Sequence, residues 1–358
     1  MKILLVIPTL TSGGAERVIS DMANYWSSKD YQVSLVTINP WINDFYNLNK
    51  DVNRIPFKYS KPKSGIINKF LSNIKLILIL RKIIKGNKPD VVLSFLDVTN
   101  IITILASLGL KKKIVVSERI NPETNPLLNS FWFFLRKLLY KRADLVVAQT
   151  KAASTWLDNN CSIRSKIIPN PVRKLKKHDV KRSNRIISIG RLDKQKGHDV
   201  LIKSFSKIEK NYSDWSVEIY GEGPEKHELN ILIAKLNLQS KIFLKGETHD
   251  VEKVLSEAGI FVLASRFEGF PNVLLEAMSL GCPVISTNSK SGPSEIIINN
   301  ENGYLVNVDD ELEMADKISF LIENPNQCEK IGNNASKINH IYSQENIMNQ
   351  WHNLMFKK

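Results

Sequence analysis

The sequence predicts an α/β protein built from two doubly wound, parallel-sheet domains that face a central cleft. Its 358 residues exceed one ordinary domain and suit two domains of about 170 residues each. Short apolar runs alternate with helical patterns, which is typical of parallel sheets. The same alternation restarts once, after a segment that is rich in proline and charge.

In the first half, strands and helices follow one another in the order expected of a doubly wound sheet. The apolar runs that predict strands are 3–7, 33–37, 91–95, 114–117 and 145–148. The patterns that predict helices are 15–27, 66–85 and 130–141. The first run reads as a buried strand rather than a signal sequence, because Pro8 and a glycine pair follow it.

The second half repeats the pattern, with predicted strands at 186–190, 216–220, 242–244, 261–264 and 284–286. Between the halves, Pro169 and Pro171 precede a charged tract and mark a linker. We therefore place an N-terminal domain at 1–172, a C-terminal domain at 183–342 and a final helix within 343–358.

Composition narrows the class of protein. Cys161, Cys282 and Cys328 share no metal-ligand spacing and no disulfide pattern, which suits a reducing cytosol. The longest apolar stretch, 101–110, is about half of what a bilayer span needs. His198, His227 and His249 are scattered, and no Asp-x-Asp follows a strand, so we expect no metal and no cofactor.

Positive charge is concentrated in the first half. Residues 1–175 hold 27 Lys and Arg against 11 Asp and Glu, a net charge of +16, and the remainder has a net charge of −2. This asymmetry indicates an anionic partner: a membrane surface, a phosphorylated substrate or nucleic acid. A solvated basic face without a partner is the alternative. No nucleic-acid-reading motif is present, so we expect no nucleic-acid partner.

The most informative segment is 265–287, SRFEGFPNVLLEAMSLGCPVIST. Glu268 follows a predicted strand, Pro271 suits the start of a helix, and Asn272 suits its N-cap. The N–H groups of that first helical turn favour an anionic ligand, and Glu276 stands one turn further on. Two carboxylates that flank phosphate-binding amides suit a nucleotide-sugar.

Two further loops follow strands of the second half. Arg191 and Lys196, in RLDKQKG, offer cations to a diphosphate leaving group, although a surface charge cluster is the alternative. Gly221 opens a Gly-x-Gly-Pro turn, which we interpret first as structural.

Three segments of the first half also stand out. Gly13 and Gly14 open a helix without the Gly-x-Gly-x-x-Gly dinucleotide pattern, and either make a tight turn or admit a phosphate or sugar. Glu118, Arg119 and Asn121 end a strand, at the edge where ligands bind in such sheets. Residues 131–142 mix aromatic and basic side chains, as in a core-packed helix with basic ends or an interfacial membrane surface.

These motifs, in this order, resemble those of the family-4 retaining glycosyltransferases of the GT-B fold, with two Rossmann-like domains. The resemblance covers nearly the whole chain. The Ser-Glu-Arg-Ile-Asn-Pro run at 117–122 and the Gly-Pro-Ser-Glu loop at 292–295 resemble a branch, similar to GalNAc-transferases, that extends lipid-linked bacterial glycans. Many relatives carry His where Arg119 stands.

The resemblance implies the roles of the site residues. Glu276 would hold the ribose hydroxyls, Glu268 the transferred sugar, and Arg191 with Lys196 the diphosphate. The leaving phosphate oxygen would take the acceptor's proton on the same face of the sugar, and the final helix would cross back to the first domain. The implied catalytic residues are Glu268, Arg191 and Lys196; the implied donor-binding residues are Gly13, Gly14, Arg191, Lys196, Gly221, Glu268, Gly269, Phe270, Pro271, Asn272, Val273 and Glu276; the acceptor candidates are Glu118, Arg119 and Asn121.

The resemblance also implies the reaction and its place. A hexosyl or N-acetylhexosaminyl group would pass from a UDP-linked donor to a polyprenyl-diphosphate-linked glycan, in polysaccharide assembly of the lipopolysaccharide or O-antigen kind. The protein would be cytoplasmic and peripheral at the inner face of the cytoplasmic membrane, held by its anionic surface. Two alternatives stay open: a glycosyltransferase acting on a soluble sugar or small molecule, and a nucleotide-sugar-binding pseudoenzyme or assembly partner.

Overall fold

A computed structural model describes residues 1–39, 44–57, 66–123, 130–176, 178, 180–248 and 250–356. The contacts within the chain divide it into two compact units. Unit 1 comprises Met1–Asn170 and Met348–Lys358, and unit 2 comprises Pro171–Ile347. Within the described residues, no helix is both long and apolar enough to cross a membrane.

Unit 1 is built on a seven-stranded parallel sheet in the order β3-β2-β1-β4-β5-β6-β7. Its strands are β1 Lys2–Ile7, β2 Gln32–Thr37, β3 Asn53–Pro56, β4 Val91–Phe95, β5 Lys113–Ser117, β6 Leu145–Ala148 and β7 Lys166–Ile167. Central strands read as continuous apolar runs because helices cover both faces of a parallel sheet.

The helices of unit 1 lie between these strands: α1 Gly14–Ser27, α2 Ile66–Asn87, α3 Asp97–Ser107, α4 Ser130–Leu139 with a 3₁₀ turn at Tyr140–Arg142, and α5 Lys151–Cys161. Thr150 caps α5 by accepting a hydrogen bond from the Ala153 N–H at 3.1 Å. The apolar stretch 101–110 falls largely within α3, a helix that is buried almost all round.

Unit 2 is built on a six-stranded parallel sheet in the order β10-β9-β8-β11-β12-β13. Its strands are β8 Arg185–Ile189, β9 Ser216–Tyr220, β10 Ile242–Gly246, β11 Ile260–Leu263, β12 Val284–Thr287 and β13 Tyr304–Val306. Its helices are α6 His198–Ser206, α7 Lys226–Lys235, α8 Val251–Glu257, α9 Asn272–Ser279, α10 Pro293–Ile296, α11 Glu311–Glu323, α12 Pro325–Ser336 and α13 Ile338–Ile341.

The last helix, α14, spans Gln344–Phe356, and its residues from Met348 onward belong to unit 1. There Trp351 is buried and its ring lies 6.4 Å from that of Phe95. Lys113 donates to the carbonyl oxygens of Leu354 and Met355 and so satisfies the end of the helix. The predicted residues 357 and 358 lie outside the described part of the chain.

Two parallel-sheet, doubly wound units confirm the predicted fold class. The predicted strands differ from the observed ones by at most two residues at their ends. The prediction gave no bounds for the short strands β3, β7 and β13, for the helices α3 and α5 of unit 1, or for the helices of unit 2 other than α9.

Candidate functional site

The loop after β8 holds the two predicted cations. Asp193 caps a 3₁₀ turn at Lys194–Lys196, with its Oδ1 accepting a hydrogen bond from the Lys196 N–H at 3.2 Å. The other carboxylate oxygen of Asp193 lies 2.5 Å from Arg191 Nε. One aspartate therefore holds the Arg191 side chain and the Lys196 backbone, and the Arg191 side chain remains two-thirds exposed.

A glycine joins this loop to the end of β11. Gly197 has φ +62°, and a Cβ built on it would lie 2.1 Å from the Ala264 carbonyl oxygen. Beside this approach, the Arg266 N–H donates to the Gln195 carbonyl oxygen at 2.8 Å, and Gln195 Nε2 donates to the Phe267 carbonyl oxygen at 3.0 Å. The Arg191–Gly197 loop is thus fixed against the loop that carries Glu268.

Glu268 meets Lys196 at this junction. Lys196 Nζ lies 2.6 Å from Glu268 Oε1, and Ser265 Oγ donates to the same oxygen at 2.7 Å. The Glu268 side chain is only 7% exposed. In this structure the lysine therefore neutralises a nearly buried carboxylate.

The backbone around Glu268 contacts Ser291 and Gly292, where the Gly-Pro-Ser-Glu loop begins. Ser291 Oγ donates to the carbonyl oxygens of Glu268 and Gly269, at 3.2 and 3.0 Å. Gly292 lies so close that a Cβ on it would sit 2.7 Å from the Gly269 oxygen. Ser291 and Gly292 therefore fix the position of the Glu268–Gly269 backbone.

Helix α9 begins one residue earlier than predicted. Pro271 occupies the N-cap position, and Asn272 is the first helical residue. The expected N-cap role of Asn272 is therefore wrong. A proline fits at the cap because it has no N–H that the helix would leave unsatisfied. The helix start lies close in sequence to the carboxyl end of β11.

Glu276 lies one turn into α9 and is 2% exposed. Phe270 is also buried, with its ring 5.7 Å from that of Tyr342, and Val273 is half-buried. The structure therefore brings Arg191, Lys196 and Glu268 together, with Gly269–Val273 leading into the helix that carries Glu276.

Gly221 has the structural role that its motif suggests. It has φ +145°, and a Cβ on it would lie 2.0 Å from the Gly190 carbonyl oxygen. Gly223 approaches the Leu192 carbonyl oxygen in the same way, at 2.3 Å. The turn after β9 thus packs directly on the loop that bears Arg191.

Arg266 and Asp199 pair beside this loop, although no motif of the sequence indicated the pair. Arg266 binds both carboxylate oxygens of Asp199 at 3.0 and 2.8 Å, and it donates to the Lys194 carbonyl oxygen at 2.7 Å. Burial raises the pKa of Asp199, but the Arg266 hydrogen bonds and charge outweigh it and leave the pKa lowered. His198 is buried behind Lys196, and burial together with that charge lowers its pKa to about 4. No sequence spacing links these partners.

In unit 1, the carboxylate of Glu16, in the first turn of α1, lies against the glycine pair. Glu16 Oε1 accepts from the hydroxyls of Thr9 at 3.1 Å and Thr11 at 3.5 Å. The carboxyl lies against Gly13, where a Cβ would be 2.2 Å from Glu16 Oε2. Burial raises the pKa of Glu16, and α1 begins at Gly14. The donor role of Gly13 and Gly14 stays a prediction.

Glu118 enters a buried ionic cluster of unit 1. Its Oε1 lies 3.1 Å from Arg136 Nε and accepts a short hydrogen bond from the Tyr140 hydroxyl. Arg136, whose side chain is fully buried, also lies 3.1 Å from Asp97. Asn100 donates to the Tyr140 oxygen at 2.9 Å. Burial raises the pKa of Glu118 more than the Arg136 charge lowers it.

Arg119, the next residue, turns to different partners. Its guanidinium stacks 4.1 Å from the centre of the Phe95 ring and donates to Asn170 Oδ1 at 2.6 Å. Burial lowers its pKa to about 9. Asn121 is buried and accepts from the Glu123 N–H at 3.1 Å. The acceptor role of these three residues stays a prediction.

No group of three or more His, Cys, Asp or Glu that could hold a metal occurs among the described residues. Arg191 and Lys196 contribute positive charge to the unit 2 site.

Comparison with known proteins identifies the chain. Residues 12–174 match the model of "Glycosyltransferase Family 4", and residues 173–338 match that of "Glycosyl transferases group 1". The chain belongs to glycosyltransferase family 4, and it is a glycosyltransferase, as predicted.

Two relatives from Campylobacter jejuni match over most of the chain. An N-acetylgalactosamine-N,N'-diacetylbacillosaminyl-diphospho-undecaprenol 4-α-N-acetylgalactosaminyltransferase is 34% identical and covers 90% of both chains. A GalNAc-α-(1→4)-GalNAc-α-(1→3)-diNAcBac-PP-undecaprenol α-1,4-N-acetyl-D-galactosaminyltransferase is 29% identical, over 98% of this chain and 97% of the relative.

Solved structures agree with the fold. Sucrose-phosphate synthase from Thermosynechococcus elongatus superposes with a TM-score of 0.85 at 16% identity, over 99% of both chains. Anabaena HepE in complex with UDP gives a TM-score of 0.81 at 18% identity, over 99% of both chains.

Proposed function

We propose that this protein transfers a sugar, with retention at the anomeric carbon, from a UDP-linked donor to a polyprenyl-diphosphate-linked glycan. The observation that carries the proposal is the meeting of Lys196 and Glu268 at the carboxyl ends of β8 and β11. Ligands of parallel α/β sheets bind at that edge. A cation for the diphosphate thus stands beside a carboxylate for the sugar.

In this proposal, each residue acts on a defined part of the donor. Glu276 accepts hydrogen bonds from the ribose hydroxyls. Arg191, Lys196 and the N–H groups at the start of α9 bind the diphosphate, where positive potential favours an anion. Glu268 accepts hydrogen bonds from hydroxyls of the transferred sugar.

The reaction needs no protein base. The bond between the anomeric carbon and the phosphate oxygen breaks, and the acceptor oxygen bonds to that carbon from the same face. The acceptor's proton passes to the departing phosphate oxygen. Negative charge on the diphosphate grows as the bond breaks, so fixed cations accelerate departure. These cations also lead us to propose that the reaction requires no metal ion.

Donor binding would exchange the partners of Lys196. The lysine pairs with Glu268 in this structure, so an arriving diphosphate competes for its Nζ. The freed Glu268 oxygen, still held by Ser265, then faces the sugar hydroxyls. Binding of the diphosphate would thereby prepare the carboxylate for the sugar.

The acceptor is proposed from two observations. Both Campylobacter relatives are named for undecaprenol-diphosphate-linked acceptors and transfer N-acetylgalactosamine. The first half of this chain carries a net charge of +16, which suits a diphosphate and an anionic membrane surface. We therefore propose an N-acetylhexosamine donor and a peripheral position at the inner face of the cytoplasmic membrane.

A panel of nucleotide-sugars tests the donor. A donor at a hundredfold its Kd adds about 2.7 kcal/mol to the free energy of unfolding and raises the Tm accordingly. We expect UDP-N-acetylhexosamines to give the largest rise. The panel contradicts the proposed binding if every nucleotide-sugar leaves the Tm unchanged.

A transfer assay tests the acceptor and the stereochemistry. The preferred donor is incubated with a polyprenyl-diphosphate glycan in detergent or with the same glycan free of lipid. We expect faster transfer to the lipid-linked glycan and an α-linked product from an α-linked donor by NMR. Equal or faster transfer to the free glycan would favour the soluble-acceptor alternative.

A further inference from the structure

Two helices of unit 1 expose apolar stripes. On α2, Leu71, Ile74 and Leu78 are 40–61% exposed. On α4, Phe131, Phe134 and Leu138 are 55–61% exposed. Both sets have the spacing i, i+3, i+7, which places each set on one side of its helix. The stripes are therefore continuous surfaces and not scattered side chains.

The opposite sides of these helices pack in the hydrophobic core of unit 1. Leu76, Leu80 and Ile84 of α2 pack in the same buried cluster as Leu139 and the apolar side chains of α3. Trp132, Phe133 and Leu135 of α4 pack against that cluster as well. The exposed stripes are thus additional to the apolar faces that the fold requires.

The topology places both stripes on one surface of unit 1. The crossovers β3–α2–β4, β4–α3–β5 and β5–α4–β6 all advance in the same direction along the sheet. Since such crossovers are right-handed, α2, α3 and α4 cover the same face. Both α2 and α4 pack against α3. With adjacent helix axes about 10 Å apart, the stripes run within about 20 Å of each other.

The charges beside the stripes have a single sign. On α2, Lys75, Lys82 and Lys85 are exposed and continue the side that begins with Leu71, Ile74 and Leu78. Lys137, Lys141 and Arg142 are exposed at the end of α4. Neither 66–88 nor 130–142 contains an Asp or Glu. These two segments therefore offer no anion to a protein partner of mixed charge.

We propose that this two-stripe surface inserts into the headgroup region of an anionic lipid bilayer. The apolar side chains enter the boundary between headgroups and acyl chains, and the lysines and Arg142 bind lipid phosphates. The inference rests on the proposed membrane-held acceptor and specifies which face meets the lipid. It adds that apolar insertion, and not charge alone, holds the protein there.

Insertion and simple electrostatic attraction differ in their response to salt. Exposed charges lose most of their attraction at about 1 M salt, where screening acts within about 3 Å. Apolar burial persists under those conditions. We therefore expect wild-type protein to lose part of its affinity for anionic vesicles at high salt and to retain a measurable remainder.

Flotation with vesicles of phosphatidylcholine and phosphatidylglycerol tests the surface. The test variant carries Leu71→Gln, Leu78→Gln, Phe131→Gln, Phe134→Gln and Leu138→Gln. The matched control carries Ile231→Gln, Leu312→Gln and Ile341→Gln, which are exposed apolar residues of unit 2. We expect the test variant to bind at least about 30-fold more weakly. We expect the control to bind like wild type.

A fluorescence measurement distinguishes insertion from adsorption. Phe134→Trp should show additional emission quenched by brominated lipid, whereas Leu312→Trp should not. Unchanged binding of the test variant, complete loss of wild-type binding at high salt, or equal quenching at both positions would overturn the proposal. A wild-type dimer that the test substitutions convert to monomer would assign the stripes to a second copy instead.

These outcomes are independent of the proposed chemistry. Flotation uses no donor and no acceptor, so vesicle binding can be established even if transfer fails. Conversely, normal donor binding by a protein that ignores vesicles would overturn only the insertion. Equal Tm values for wild type and the test variant confirm that unit 1 is folded in the comparison.

Discussion

Lys196 and Glu268 stand 72 positions apart in the chain, yet Lys196 Nζ lies 2.6 Å from Glu268 Oε1. The contact depends on Gly197, whose missing side chain lets the lysine loop pack against the end of β11. A carboxylate that is 7% exposed gains a cation and the Ser265 hydroxyl. The pair brings together the RLDKQKG motif and the 265–287 segment, which are the two strongest motifs of the sequence.

The first prediction concerns Lys196. Lys196→Ala should lower kcat about 100-fold while donor affinity falls much less, because leaving-group charge is greatest in the transition state. Steady-state kinetics and calorimetry with the donor nucleotide measure the two effects. Lys226→Ala, on the surface of α7, serves as the control. A variant with wild-type kcat would remove Lys196 from the mechanism.

The second prediction concerns Glu276, which would contact the ribose before and during the reaction. Glu276→Gln should weaken binding of the donor nucleotide about 10- to 100-fold, because hydrogen bonds to a charged acceptor are lost. Isothermal titration with UDP measures this change. The exposed Glu228→Gln on α7 should bind like wild type. Unchanged nucleotide affinity in Glu276→Gln would refute the ribose assignment.

The third prediction is that turnover does not require a divalent metal. Arg191, Lys196 and the start of α9 supply positive potential at the place where the diphosphate would lie. Initial rates should therefore stay within about twofold in excess EDTA. Activity that disappears in EDTA and returns with Mn²⁺ or Mg²⁺ would show that these groups do not suffice.

The sequence predicted the central strands well because buried parallel strands are continuous apolar runs. The same continuous apolar character prevented the recognition of α3 as a helix. Its segment is buried almost all round, so residues 101–110 form a nearly continuous apolar run in the sequence. The strands β3, β7 and β13 span only two to four residues, too few for a pattern.

The sequence motifs indicated Arg191, Lys196 and Glu268 because each of these residues lies in a loop with a recognisable pattern. The hydrogen-bond and ion-pair partners of site residues could not be predicted where they are distant in the sequence. Ser291 supports the Glu268 backbone from 23 positions away, and no local pattern indicates it. Glu118 is the clearest case, because its pairing with Arg136 depends on how α4 packs on α3.

The fourth prediction concerns that buried pair. Arg136→Met should lower the free energy of unfolding by about 3 to 5 kcal/mol, because Glu118 and Asp97 lose the cation that neutralises them. Denaturant titration measures the loss, and the exposed Arg142→Met is the control. Adding Glu118→Gln and Asp97→Asn to Arg136→Met should restore much of the stability. A triple variant less stable than Arg136→Met would contradict this account.

The fifth prediction is a pH dependence from His198. Burial and the nearby Lys196 charge lower its pKa from 6.5 to about 4 in the folded protein. Between these values the unfolded chain binds the extra proton, so acidification favours unfolding. The stabilisation is fully present above pH 6.5 and declines as the pH falls toward 4. The loss reaches up to about 3 kcal/mol.

Comparison with His198→Gln isolates this effect, because the contributions of all other titrating groups cancel in the difference. In urea titrations between pH 7.5 and 4.5, the free energy of unfolding should fall more steeply for wild type than for His198→Gln, since only the wild type gains a proton at position 198 on unfolding. His227→Gln, an exposed substitution on α7, is the matched control. Parallel curves for wild type and His198→Gln would mean that His198 is protonated to the same degree in both states.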